Sequence, residues 1–413
     1  MRLNRVSLEL TVLLAIIIVL VTLVTATPAI AQDEKVLHSF NRNGEDGFSP
    51  QGSLIFDAAG NLYGTTTGGG EYLAGTVFEL TPQASGGWTE KLLHTFNGRD
   101  GANPQAALIF DAAGNLYGTT QWGGAYGNGT VFELKQNPEG SWTEKVLHNC
   151  TAFGAGGGQP TGGLIFDAKG NLYGTMRWGG PYRYFGTVFE LSPTASGHWT
   201  EKVLHTFDGS TGDAYNPFAG LIFDAKGNLY GTTLAGGAEF GTVFELTPTA
   251  SGVWTETIVH DFNGSDGFAP EGDLIFDAAG NLYGTTAQGG FFKDGVVFEL
   301  TPSGGGKWAV SVLHHFYGVD GARPEGSLVF DAAGNLYGTT QVGGTDGFGT
   351  VFELNPTAGF WTEEWSSFTG ADGAYAFGGL IFDAEGNLYG TTQLGGAYSY
   401  GTVFEIKPKP SSD

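Results

Sequence analysis

The sequence predicts an all-β fold: a seven-bladed β-propeller of four-stranded antiparallel blades, closed by its own N-terminal strand. Three observations carry this. A hairpin phrase recurs seven times, each recurrence is followed by two further strand-like segments in constant order, and the two chain ends are out of phase with the repeat.

The phrase reads Leu54-Ile55-Phe56-Asp57-Ala58-Ala59-Gly60-Asn61-Leu62-Tyr63-Gly64-Thr65-Thr66 in its first copy. Two apolar runs flank Asp-Ala-Ala-Gly-Asn, which fits a type I turn over the alanines. Gly60 then takes the left-handed position that a side chain occupies only at a cost. The turn aspartate returns as Asp111, Asp167, Asp224, Asp277, Asp331 and Asp383, at spacings of 54, 56, 57, 53, 54 and 52 residues. A period of that length holds one multi-stranded unit.

The hairpin supplies strands a and b. A glycine-rich loop leads to strand c, Gly75-Thr76-Val77-Phe78-Glu79-Leu80, and a Thr-Pro turn leads to strand d, Trp88 to Phe96. Both are rich in β-branched and aromatic residues and bounded by Gly and Pro, as strands are. A β-helix would need a shorter period, and a string of sandwiches would need more than one four-stranded sheet per unit. The opening Glu34-Lys35-Val36-Leu37-His38-Ser39-Phe40 matches strand d, whereas Gly401 to Ile406 is a strand c with no d after it. The N-terminal strand is therefore expected to complete the seventh blade and remove the open edges of a linear array.

Residues 1–31 stand outside the repeat. Arg2 and Arg5 precede an apolar run from about Leu10 to Ala26, and Ala29-Ile30-Ala31 is a small-x-small cleavage site, so the segment reads as a secretory signal. The mature propeller is expected to span 32–413 and to be secreted, periplasmic or on the cell surface. An uncleaved anchor is the alternative, since the run approaches the ~20 residues needed to span a bilayer. No second apolar run follows, so no integral span is expected in the mature chain.

The formal net charge is −24, and no cluster of Lys and Arg is present to grip phosphates, which excludes nucleic acid as a partner class. Cys150 is the only cysteine, so no intrachain disulfide can form. It stands where most copies have phenylalanine and reads as a small buried hydrophobe.

The units Gly-x-Leu-Ile-Phe-Asp-Ala-x-Gly-Asn-Leu-Tyr-Gly-Thr-Thr followed by Gly-Thr-Val-Phe-Glu-Leu resemble the GloVer (Gloeo/Verruco) tandem repeats of secreted bacterial proteins, over essentially all of the chain after the leader. The resemblance implies an exported bacterial protein, often with a C-terminal surface anchor. This chain departs from that feature, ending at Lys409-Pro410-Ser411-Ser412-Asp413. The hairpin is also similar to the blades of NHL-type propellers, a likeness of fold that carries no chemistry.

Residues present in every copy belong first to the scaffold. The turn aspartates, the glutamates of strands c and d, the tryptophans that open strand d and the histidines His38, His94, His148, His205, His260 and His314 all repeat. A zinc reading would need two or three histidines to converge, but each lies on the outermost strand of a different blade. The d–a loops carry Asp46, Asp100, Asp213, Asp266, Asp320 and Asp372, mostly in Asp-Gly pairs. Hard cations take such carboxylates, but Asp-Gly is also ordinary turn chemistry, so neither a metal nor another cofactor is expected. No Gly-x-Ser-x-Gly elbow, His-Glu-x-x-His pair or phosphate loop is present, and no catalytic residue can be named.

Alternating strands place the d–a and b–c loops on one face and the a–b turns and c–d loops on the other. The first face is the variable one. Blades two and three carry Trp122 and Trp178 before the Gly-Gly of the b–c loop, with Tyr126, Arg177, Tyr182, Arg183, Tyr184 and Phe185 around them, and the intervening d–a loop, Gly154 to Gly158, is nearly all glycine. Exposed Trp and Tyr suit stacking on sugar rings or anchoring a protein. The expected function is thus a monomeric, non-catalytic binding module for carbohydrate or protein, with Trp122, Tyr126, Arg177, Trp178, Tyr182, Arg183 and Tyr184 as its site. The alternatives are a lactonase- or glycosidase-like propeller using carboxylates at the channel mouth, and a structural cell-surface protein without a ligand.

Overall fold

The computed structural model describes residues 31–151, 154–180, 185–209, 213–357 and 360–408. Among these there is no helix, and no segment long and apolar enough to cross a membrane as one. The leader lies outside the described residues. In blade one, strands a (Ile55–Phe56), b (Leu62–Thr66), c (Thr76–Pro82) and d (Trp88–Thr95) form a sheet in that order, and the same a-b-c-d order recurs around the ring. Blade four adds Ala214–Pro217 beside its strand b. The expected closure is present. Ala31–Ser39 pairs antiparallel with Thr402–Pro408, Glu34 facing Ile406 and Ser39 facing Thr402, and so serves as strand d of blade seven.

The turn chemistry is that expected. Asp57 Oδ1 accepts from the backbone N–H groups of Ala59 (2.8 Å) and Asn61 (2.9 Å), and Gly60 has φ +84°. The Tyr63 hydroxyl sits between Asp57 Oδ2 (3.1 Å) and Glu79 Oε1 (2.9 Å), so the repeated aspartate, tyrosine and strand c glutamate form one structural network.

The core lies between blades. At each of the seven junctions, residues of one blade and the next form a single apolar cluster. Phe40, at the end of the N-terminal strand, meets Phe78 of blade one edge-to-face at 5.2 Å, as Phe96 meets Phe132 and Phe207 meets Phe244. Trp88 packs on Tyr389 of blade seven in the same manner. Cys150 is fully buried in the blade two/three cluster together with Met176, which replaces the strand b threonine of most copies. The longer thioether fills volume that the missing phenylalanine ring leaves.

Inside the ring the blades close on a belt of small residues: Gly52, Ala106, Gly162, Ala219, Gly272, Gly326 and Gly378. A Cβ on Gly326 would stand 2.7 Å from Gly378 O, and one on Gly378 2.9 Å from Gly52 O. Strand b threonines tie the belt across blades, Thr65 Oγ1 donating to Ala106 O (3.2 Å) and Thr391 Oγ1 to Gly52 O (3.2 Å). The second of these bonds joins blade seven to blade one.

Candidate functional site

The residue before each belt position faces the axis: Gln51, Gln105, Thr161, Phe218, Glu271, Glu325 and Phe377. With Gln121 and Arg177 from the b–c side they surround a cavity of about 300 Å³ at the channel. The repeat fixes the backbone at this position and leaves the side chain free to differ, because the tight belt lies one residue further on.

The backbone that presents these groups is held under strain. Two residues upstream of each stands a non-glycine residue with left-handed φ: Ser49, Asn103, Gln159, Asn216, Ala269, Arg323 and Tyr375, all between +55° and +59°. Each such residue costs on the order of 1–3 kcal/mol and persists only where its surroundings demand it. Here the demand is a double clamp. Arg323 N donates to Asp294 O of the preceding blade's b–c loop (2.8 Å), and Arg323 O accepts from Gln341 N of its own blade (3.0 Å). The mouth is therefore set in place before any ligand arrives.

Its electrostatics are mixed and partly dry. Arg323 holds Glu325 through Nη2 (2.7 Å) and Nε (3.1 Å), and the Glu325 side chain is only 4% exposed. Burial and the neighbouring Glu325 push the Glu271 carboxyl up to about 7, against the pull of Arg323 and Arg177. Asp273, one belt step deeper, is also raised by burial, and its Oδ1 accepts from Gly220 N (2.6 Å). Across the mouth, the Arg177 guanidinium lies 5.5 Å from the Phe218 ring centre, and its buried Nε has no hydrogen-bond partner among the described residues. Gln105 Nε2 donates to Gln121 Oε1 (2.7 Å) and to Asn103 Oδ1 (3.1 Å). Planar donors and acceptors thus converge beside apolar ring faces, an arrangement able to read hydroxyl groups on a rigid ring.

Around the mouth the loop-rich face is aromatic. Among the described residues the exposed large apolar side chains lie on this face, except Val253 and Phe360 on c–d loops. The densest group is Phe291, Phe292 and Tyr317 at blades five and six, with ring centres 4.9 and 5.7 Å apart in sequence.

Residues 21–240 and 239–412 match the Gloeobacter/Verrucomicrobia repeat. The chain belongs to this family. No match is found among curated proteins. Of solved structures, this Gloeobacter/Verrucomicrobia repeat protein is similar to the extracellular domain of a hybrid two component system from B. thetaiotaomicron, with TM-score 0.54 and 10% identity over 89% of this chain. The chain spans 39% of the length of that structure. It is also similar to a protein described as glucose dehydrogenase, with TM-score 0.45 and 13% identity over 91% of this chain and 100% of the other. At these identities the likeness concerns the fold.

The residues singled out in the sequence of this repeat protein fall in different places. Trp122 (40% exposed) and Tyr126 (64%) stand in the b–c loop of blade two on the loop-rich face, where Trp122 bridges Ala102 of the preceding d–a loop. Trp178 is half-buried and paired with Gly158. Arg177 turns to the axis and lines the mouth. Tyr182, Arg183 and Tyr184 lie outside the described residues. The glycine-rich stretch between blades two and three forms a strand, Gly154–Gly158, against Trp178–Gly180, because glycine permits backbones to approach where side chains would intervene.

Sequence reasoning missed Glu271, Asp273, Arg323 and Glu325. The available signal was the triplet before strand a, which varies from Gln-Gly-Ser to Glu-Gly-Asp while its neighbours repeat.

The strand d histidines do not converge on one another, but each lies within 4 Å of at least one carboxylate at a blade junction. His38 Nε2 lies 3.4 Å from Asp46 Oδ2 in the following d–a loop and 3.7 Å from Glu90 Oε2 on strand d of the next blade. His205 repeats this with Asp213 (3.8 Å) and Glu256 (3.4 Å), and His314 with Asp320 (3.0 Å) and Glu363 (3.2 Å). His94 stands 3.3 Å from Asp100, with Glu144 alongside. The loop aspartates are turn acceptors as well: Asn41 N and Nδ2 both donate to Asp46 Oδ2 (3.0 Å each).

Proposed function

We propose that this protein is an exported, monomeric binding module that takes carbohydrate at the mouth of its central channel, with the aromatic loop-rich face extending the site. What carries the reading is the convergence of Gln105, Gln121, Arg177, Glu271 and Glu325 beside Phe218 and Phe377 around one cavity, at positions the repeat leaves free. Amide, carboxylate and guanidinium groups bond vicinal hydroxyls in pairs, and the phenylalanine rings suit the apolar face of a pyranose. Trp122, Tyr126 and Trp178 extend the surface for a longer saccharide, and Phe291, Phe292 and Tyr317 do so at blades five and six; Tyr182, Arg183 and Tyr184, close to Trp178 in the sequence, are proposed as further contacts. The acidic surface disfavours nucleic acid.

The test is a glycan array probed with the mature protein, followed by calorimetry on the hits. Glu271→Gln and Arg177→Ala should each weaken binding at least tenfold, Trp122→Ala should weaken binding of longer chains only, and Val253→Ala on the other face should leave it unchanged. Parent-like binding by both mouth variants would overturn the assignment.

One observation favours a second reading. A carboxyl raised to about 7 is suited to proton transfer at neutral pH, and Glu271 is such a group. A lyase or hydrolase of this design would turn over a polysaccharide or lactone with Glu271 as acid or base and lose that activity in Glu271→Gln. Absence of turnover across a panel of both substrate classes removes this reading.

A further inference from the structure

The histidine clusters at the blade junctions have the composition and size of divalent metal sites. In four of the seven junctions one imidazole nitrogen and two carboxylate oxygens lie within 4.8 Å of one another. A tetrahedral zinc ion with bonds of ~2.0–2.2 Å sets neighbouring ligand atoms ~3.3–3.6 Å apart. The histidine–carboxylate separations of 3.0 to 3.8 Å in these clusters bracket that value.

A second observation is independent of the clustering. The Asp46 side chain is 4% exposed and its Oδ1 has no hydrogen-bond partner among the described residues, and the Glu363 side chain is 8% exposed with Oε1 in the same condition. Buried carboxylate oxygens need a donor or a cation. Asn41 N and Nδ2 both donate to Asp46 Oδ2, the oxygen 3.4 Å from His38 Nε2, and so fix the orientation of that carboxylate, a support that metal-ligating carboxylates have.

We propose that the junctions with a complete His-Asp-Glu set bind divalent transition cations, one per junction, and that these ions cross-link neighbouring blades at their outer edge. Mixed nitrogen and oxygen donors favour zinc-like ions over calcium, which takes six to eight oxygens. Each ion joins strand d of one blade, the loop leaving it and strand d of the next, so the first of them fastens the N-terminal strand to blade one.

The three remaining junctions are natural controls, each lacking one member. Between blades two and three, His148 and Glu201 remain, but the loop from Thr151 to Gln159 contains no carboxylate. Between blades four and five, Val310 faces Leu300 as Glu90 faces Leu80, so His260 and Asp266 lack their glutamate. At the last, Ser366 faces Val351 as His94 faces Val77, so the histidine is missing.

The experiment uses the mature protein stripped by a chelator, titrated calorimetrically with zinc chloride, and bound metal counted after gel filtration. Four equivalents are expected, with a rise in unfolding temperature and no comparable response to calcium. Asp46→Asn and Glu363→Gln should each remove one equivalent, and Val310→Glu, which completes a fifth set, should add one. Variants are compared only after circular dichroism shows the parent's β spectrum. The proposal is overturned by a count of zero, by a count that Asp46→Asn, Glu363→Gln and Val310→Glu all leave unchanged, or by calcium binding in place of zinc. Those results would make the clusters direct histidine–carboxylate hydrogen bonds, or their metal merely surface-bound.

Discussion

Ring closure can be measured at a single side chain. Phe40 directly follows the first described strand, yet it is fully buried between blades seven and one, in a cluster with Leu54, Leu62, Phe78, Leu80, Tyr389 and Val403. Phe207 holds the same place between blades three and four, far from either chain end, and is equally buried. Truncating a fully buried phenylalanine costs ~3–5 kcal/mol, the sum of lost transfer energy and the cavity left behind. A frayed terminal strand would instead pass on almost none of that cost. Phe40→Ala and Phe207→Ala are therefore expected to destabilise the mature protein by similar amounts, agreeing within ~1 kcal/mol. Urea unfolding followed by tryptophan fluorescence gives both numbers. If Phe207→Ala falls in the expected range while Phe40→Ala costs less than ~1 kcal/mol, the seventh blade is not locked and the closure argument fails.

Three further outcomes follow from the packing and charges. Gly280→Val places a β-branched residue at φ +87° with nothing within 4 Å of the new Cβ, so its cost, ~1–2 kcal/mol by thermal unfolding, is backbone strain alone. Cys150→Phe should destabilise by ~1–3 kcal/mol because Met176 already occupies the space, and Cys150→Phe with Met176→Thr should cost less than the sum of the two single changes. Glu271 is raised from 4.5 to about 7 by burial and the neighbouring Glu325, against the cations Arg323 and Arg177. Its stabilising contribution is present in full below pH 4.5 and is lost as pH rises to 7. Between those values the parent should lose at most ~3 kcal/mol relative to Glu271→Gln, at 1.36 kcal/mol per unit. Parallel stability curves for the two proteins would show that Glu271 is not perturbed.

The scaffold was legible in the sequence because its constraints are local and repeated. The Asp57-to-Asn61 turn announces itself through five adjacent residues, and the out-of-phase Glu34–Phe40 segment can be aligned by eye with Trp88–Phe96. The site was harder to read because it is assembled across the ring. Glu271 and Arg177 are 94 positions apart in the chain and meet only because both face the axis. The histidine clusters hid for the same reason: His38 and Glu90 belong to successive copies, so each looks like scaffold until adjacent blades are placed side by side. Trp122 attracted attention as a local exception to the repeat, whereas the variable residue before each belt glycine is an exception only when all seven copies are compared.

Whether the channel mouth takes carbohydrate is decided by a crystal structure of the mature protein with an array-positive oligosaccharide. A sugar ring is expected at the axis, its hydroxyls bonded to Glu271, Arg177 and Gln105 and its apolar face on Phe218 or Phe377. A saccharide bound on the face of the a–b turns and c–d loops, with the mouth holding only water, would contradict that expectation.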